Sequence, residues 1–143
     1  MDARTELCTE GAFGKIDVTI IVSRIGKDYP YLDLVEWGST APDKEGAPTH
    51  GLIANILVTA NGKPVLLPLS AFANLFWPTD AELRSKSTSE FELRIKGADA
   101  ANSYRAIFSF SDGVLKSRRI HGLEFPEESW ELTTYSYVPD DGR

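Results

Sequence analysis

Cysteine occurs once in the 143 residues, at Cys8, and histidine twice, at His50 and His121. A lone thiol excludes an intrachain disulfide framework and fits a reducing compartment. Two histidines far apart in sequence, with no clustered donors around them, do not supply the nitrogen and sulfur ligands that a zinc centre requires. No metal and no cofactor is expected. Long apolar runs are also missing, so no segment reads as a membrane span. The opening MDARTELCTEG carries Asp2 and Glu6 where a secretory signal would be apolar. The expected location is the cytoplasm.

Positive charge is in deficit. Fifteen Lys and Arg stand against 21 Asp and Glu, a net charge of −6. Phosphate-held nucleic acid needs the opposite balance, so direct nucleic-acid binding is not expected, whereas a basic protein partner suits this surface. Catalytic signatures are absent as well. There is no Gly-x-Ser-x-Gly elbow. The stretch GSTAPDKEG lacks the Lys-Ser/Thr ending of a phosphate loop. GADAAN, 97–102, lacks dinucleotide-binding spacing and any βαβ surroundings.

What remains is a strong period of two. Ile16, Val18, Ile20 and Val22 alternate with Asp17, Thr19, Ile21 and Ser23, the pattern of a half-buried strand. YLDLVEW alternates more weakly. In SEFELRIK, Phe91, Leu93 and Ile95 oppose Glu90, Glu92, Arg94 and Lys96. Asn61-Gly62 and Asp112-Gly113 sit between apolar runs, where both residues tolerate the positive φ of a two-residue hairpin turn. A tight turn at Asp112-Gly113 puts Tyr104, Phe108, Phe110 and Leu115 on one face, and a bulge beside it would flip the second arm. WELTTYSYV reads as the last strand. Helix is confined to plugs at 70–76, where Ser70 caps AFANLF, and at 79–84, where Thr79 and Glu82 match a capping box; Pro78 ends the first.

These signals predict a mostly β chain, an antiparallel β-sandwich or flattened barrel of about eight strands with one or two short helices. Residues 1–143 read as a single β-rich domain, with a frayed leader at 1–12 and a frayed tail at 139–143.

Two stretches stand out from this scaffold. The loop GSTAPDKEGAPTHG, 38–51, is long, aperiodic and rich in Gly and Pro, a composition found in binding loops on rigid scaffolds. The acidic stretch EFPEESWE, 124–131, reads first as a turn, with Pro126 at its bend and Glu131 returning beside Lys116, Arg118 and Arg119. A glycosidase reading would need two carboxylates facing across a groove, Glu131 with Glu90 or Glu92. The expected outcome is instead that Glu131 points to water or pairs with Arg118 or Arg119. Aromatic residues, Tyr29, Tyr31, Trp37, Phe76, Trp77, Trp130, Tyr135 and Tyr137 among them, exceed what alternation requires and suit a binding patch.

In size, acidity, cytoplasmic character and lack of catalytic motifs the chain is similar in type to bacterial immunity and anti-toxin proteins, which plug the site of another enzyme. The likeness is one of class, and it carries no functional residue over. It implies a non-enzymatic protein-binding module of the immunity or inhibitor kind, with no catalytic residues and another, basic protein as partner. The predicted interface centres on the long loop, with Trp37 just before it and Asp43, Glu45 and His50 within it, and on the acidic turn with Glu127 and Glu128. The alternatives are a small-ligand carrier of the closed-barrel type and, behind it, the carboxylate glycosidase.

Overall fold

The computed structural model describes residues 2–24, 51–72, 75, 78–97, 103–123 and 129–136. They form two antiparallel sheets with almost no helix, a β-sandwich. The first sheet has four strands in chain order, β1 (Asp2–Gly11), β2 (Gly14–Arg24), β3 (Gly51–Ala60) and β4 (Lys63–Val65). The second has five, also in chain order: β5 (Pro78–Ser85), β6 (Glu90–Gly97), β7 (Tyr104–Ser111), β8 (Val114–Gly122) and β9 (Ser129–Thr134). A short 3-10 turn, Leu69–Ala71, lies on the connection between the sheets.

Alternation decides which side chains enter the core. Ile16, Val18 and Ile20 of β2 join Ile53, Ile56, Val58 and Ala60 of β3 from one sheet; Phe91, Leu93, Ile95, Tyr104, Ala106, Phe108, Phe110, Leu115 and Ile120 enter from the other. Phe91 stacks on Phe110 with ring centroids 4.5 Å apart, and Phe13 meets the Phe91 ring edge-on at 4.8 Å. These buried groups line the inner faces of the two sheets. Each fully buried aliphatic or aromatic side chain contributes about 1.5–3 kcal/mol.

Two of the four register shifts among the described strands correct the phase of the pattern. In β3 the register slips so that Ile53 faces Val22 and Asn55 faces Ile21. The extra residue, Ala54, moves Ile56, Val58 and Ala60 onto the core face. In β8 the slip places Leu115 opposite Phe110 but Ser117 opposite Ser109, leaving Lys116 over. A residue inserted on one strand of a pair inverts the faces beyond it. Arg118 and Ile120 thereby turn inward, opposite Phe108 and Ala106.

Both expected hairpin turns form. Asn61 and Gly62 take φ of 51° and 81°, and Asp112 and Gly113 take 54° and 80°. Asn61 does more than turn the chain. Its Oδ1 accepts from the Lys15 backbone N–H at 2.9 Å, and its Nδ2 donates to the Phe13 carbonyl at 3.2 Å. The β3–β4 turn is thus bonded to the β1–β2 turn. Gly14 permits this, because a Cβ there would sit 2.1 Å from the Asn61 Oδ1.

The structure departs from the sequence pattern at three places. Residues 79–84 are not a helical turn but the body of β5, paired along β6 from Pro78–Gly97 to Ser85–Phe91. The Thr79–Glu82 spacing fits a capping box, yet Asp80, Glu82 and Arg84 also alternate with Ala81 and Leu83, and pairing with β6 settles which pattern wins. Of the helical plug expected at 70–76, residues 73, 74 and 76 lie outside the described residues, and Leu69–Ala71 form a 3-10 turn. The segment 1–12, read as a frayed leader, forms the ten-residue β1, bonded to β2 from Asp2–Ser23 to Gly11–Gly14. The tail 139–143 lies outside the described residues.

Candidate functional site

Trp37, Asp43, Glu45, His50, Glu127 and Glu128, the predicted interface, all lie outside the described residues. The YLDLVEW strand does too. So do Tyr29, Tyr31, Phe76, Trp77, Glu124 and Tyr137, whereas Cys8, Glu90, Glu92, Arg118, His121 and Glu131 are placed.

Glu131 sits opposite Ile120 on the inner side of the second sheet. Arg118, 3% exposed, grips it with two parallel bonds, Nε to Oε2 at 2.8 Å and Nη2 to Oε1 at 2.6 Å. The planar fork matches a carboxylate in this bidentate way. The remaining nitrogen, Nη1, donates to the carbonyls of Ala71 at 2.9 Å and Ser70 at 3.3 Å. Thr133 adds a hydroxyl bond to Oε2 at 3.0 Å. One guanidinium therefore ties β8, β9 and the connection between the sheets together.

Glu92 points to the opposite side of the same sheet. It is 4% exposed, accepts from Arg94 Nε at 2.6 Å, and receives Lys86 Nζ at 3.4 Å. A glycosidic pair must face across one groove. Glu131 and Glu92 lie on opposite faces, each bonded to arginine, and Glu90 shares the outer face with Glu92, so the sheet does not bring Glu131 across one groove from either carboxylate.

Cys8 is exposed, on the outer face of the first sheet opposite Asp17. Its thiol is hydrogen-bonded to the Asp17 side chain, which pushes its pKa above the ordinary value. That is the wrong direction for a nucleophile. His121 is buried, with Nδ1 3.0 Å from the Gly122 carbonyl. Among the described residues no group of three or more His, Cys, Asp or Glu could hold a metal ion, and no helix is long and apolar enough to cross a membrane.

Two surface features were not apparent from the sequence. The first is a row of cations on the outer face of the second sheet. Lys96 pairs with Arg105 across β6 and β7, and Arg119 pairs with Ile107 one row along. None of the three takes part in an ion pair among the described residues. Aligning the hairpin arms by their turns would have brought them together, but only once the bulge at Lys116 is known. The second is a set of exposed apolar groups: Leu66 and Leu69 beside the 3-10 turn, and Trp130 and Leu132 on β9. Leu132 lies opposite Arg119 on the outer face of the second sheet, on the other side from the Arg118–Glu131 pair.

Charge is also partitioned. The described residues hold twelve Lys and Arg against ten Asp and Glu, while the remaining segments hold three against eleven. The described residues are thus slightly basic, and the acidic surplus of the chain lies in the remaining residues. No family model, no curated protein and no solved structure matches the chain.

Proposed function

We propose that the chain is a non-enzymatic protein-binding module of the immunity or inhibitor type, engaging a basic partner through acidic segments carried on the sandwich. The charge partition carries this reading. Ten of the 21 Asp and Glu lie among the described residues, where twelve Lys and Arg offset them, whereas the remaining residues, Asp43, Glu45, Glu127 and Glu128 among them, hold eleven against three. Trp37 and His50, with the exposed Trp130 and Leu132 of β9, supply the aromatic and apolar contacts that give affinity.

Rim carboxylates act mainly on the rate of encounter. The immobilised full chain, offered a lysate of its native host at low salt, is expected to retain a basic protein. Association of that purified partner should slow as ionic strength rises. Reversal of Glu127 and Glu128 to lysine should slow it further, with a smaller effect on dissociation. Retention of nothing at low salt, or binding unaffected by salt and by the reversals, rules the reading out.

A further inference from the structure

Asn61-Gly62 carries a reactivity that its role as a turn leaves unused. An asparagine side chain can be attacked at Cγ by the backbone nitrogen of the residue that follows it, and glycine, having no Cβ, obstructs that approach least. The chain has four asparagines, Asn55, Asn61, Asn74 and Asn102, followed by Ile, Gly, Leu and Ser in turn. Asn61 and Gly62 are both exposed, and a Cβ placed on Gly62 would meet nothing within 4 Å. In the fold, however, the Asn61 amide is engaged elsewhere. Lys15 N–H donates to its Oδ1, and its Nδ2 donates to the Phe13 carbonyl. The Asn61 backbone N–H bonds the Lys15 carbonyl as well, at 2.7 Å. Phe13 is a junction. Its N–H donates to the Ser85 hydroxyl on β5 at 2.9 Å, and its ring packs on Phe91. Asn61 therefore holds a turn of the first sheet that is itself fastened to the second.

We infer that Asn61 is a site of spontaneous deamidation, guarded by these bonds while the two turns are joined, and that its products cannot rebuild the tie. The Gly62 nitrogen, having lost its proton to solvent base, forms a bond to Cγ. The Cγ–Nδ2 bond breaks, and Nδ2 leaves as ammonia, carrying a proton returned from solvent. Water then opens the resulting five-membered imide at one of its two carbonyls, giving aspartate or isoaspartate. One water is consumed and one ammonia released, with no change of oxidation state. Attack requires Cγ to swing onto the Gly62 nitrogen, so both side-chain bonds must part first. Each bond is worth a factor of roughly two to ten in water, so the folded chain should react about tenfold slower than the unfolded one, or slower still. The products differ from asparagine in what they can bond. Ionised aspartate only accepts. The Lys15 N–H keeps its acceptor, but the Phe13 carbonyl loses its donor and faces a negative oxygen. Isoaspartate also lengthens the backbone by one carbon inside a two-residue turn. Opening of the tie is thus reversible until the imide forms, and permanent afterwards.

The test is incubation of the full chain at mildly alkaline pH, folded and in denaturing guanidinium chloride, read by peptide mass spectrometry and by enzymatic methylation of isoaspartate. In denaturant Asn61 should convert ahead of Asn55, Asn74 and Asn102. In the folded chain the same conversion should run about tenfold slower or more. Native-state hydrogen exchange of the Lys15 amide reads the opening independently, and its protection should be of the same order as that slowing. Gly14→Ala, whose Cβ would displace the Asn61 side chain, should bring conversion in the folded protein toward the denatured rate. A dichroism spectrum shows whether that variant folds; if it does not, Lys15 exchange in the wild type decides, and a freely exchanging Lys15 amide beside a protected Asn61 overturns the inference. Asn61→Asp keeps a turn-forming residue and the acceptor but lacks the donor, so its urea midpoint should fall below that of the wild type. Equal conversion in the folded and denatured chains, or failure of Asn61 to lead in denaturant, also overturns the inference. So does an Asn61→Asp chain as stable as the wild type, since the product would then rebuild the tie.

Discussion

Removing the Arg118 guanidinium takes from Glu131 its bidentate partner and from the Ser70 and Ala71 carbonyls their donor. Breaking such a pair from one side costs about 3–5 kcal/mol, whereas exchanging both charges for apolar groups of similar volume is often neutral. Arg118→Ala is thus expected to lower the urea midpoint severely, and Arg118→Met with Glu131→Leu to recover most of the loss. Equal damage from the single and double changes would contradict the pairing. Tyr104 offers a pH test. Burial holds its phenol well above the ordinary range, with Arg118 opposing in part. A group whose folded pKa is raised gives stability that is complete below its unfolded value, about 10, and lost as pH climbs through the folded one. Alkaline titration should find Tyr104 silent in the folded protein, and Tyr104→Phe should blunt the loss of stability above pH about 10. Gly97 lies under the same ring, where a Cβ would meet it at 2.4 Å; at Gly122 a Cβ would meet the Trp130 ring at 2.5 Å. Gly97→Ala should cost about 1–3 kcal/mol by overpacking. Gly122→Ala should cost less, because Trp130 is 40% exposed and has room to shift.

At the scale of the element, turns and bulges set the phase of every strand. Asn61 supplies both a left-handed turn residue and two bonds to the neighbouring hairpin. Asn61→Gly keeps the first and loses the second, so it should destabilise by about 1 kcal/mol. Asn61→Ala loses both and should cost more, since alanine resists positive φ. Denaturant titration of the two variants separates the contributions. The same elements show what could be read in the chain and what could not. Ile16, Val18 and Ile20, or Phe91, Leu93 and Ile95, announce their strands because one face is apolar throughout. Asn61-Gly62 and Asp112-Gly113 announce their turns because few other pairs accept that backbone. Glu131 beside Arg118 followed from an antiparallel return. β1 was illegible because Arg4, Glu6, Cys8 and Glu10 alternate with Thr5, Leu7 and Thr9, a contrast too weak to mark a face. β5 was obscured by a spacing of three that two structures share. The bulges at Ala54 and Lys116 leave no local mark, since their signature is the mismatch between strands. The predicted interface falls outside the described residues, and the cation row on the second sheet depends on register that no single strand encodes.

For the molecule as a whole, Arg118 has a consequence in time. Its bonds to Ala71 and Ser70 span 47 and 48 residues, and its bond to Glu131 spans 13 in the other direction. A chain emerging from the ribosome can complete the first sheet, and even the β5–β8 meander, before Glu131 exists to neutralise the guanidinium. Contacts that close distant segments form after local pairing has reduced the search. The ionic clasp is therefore expected to form after the folding barrier is crossed. Its loss should accelerate unfolding while leaving the refolding rate nearly unchanged, as stopped-flow measurements on Arg118→Ala would reveal. A chain stalled before β9 would hold an uncompensated inward charge against a half-built core, and proteases would find it before a partner did.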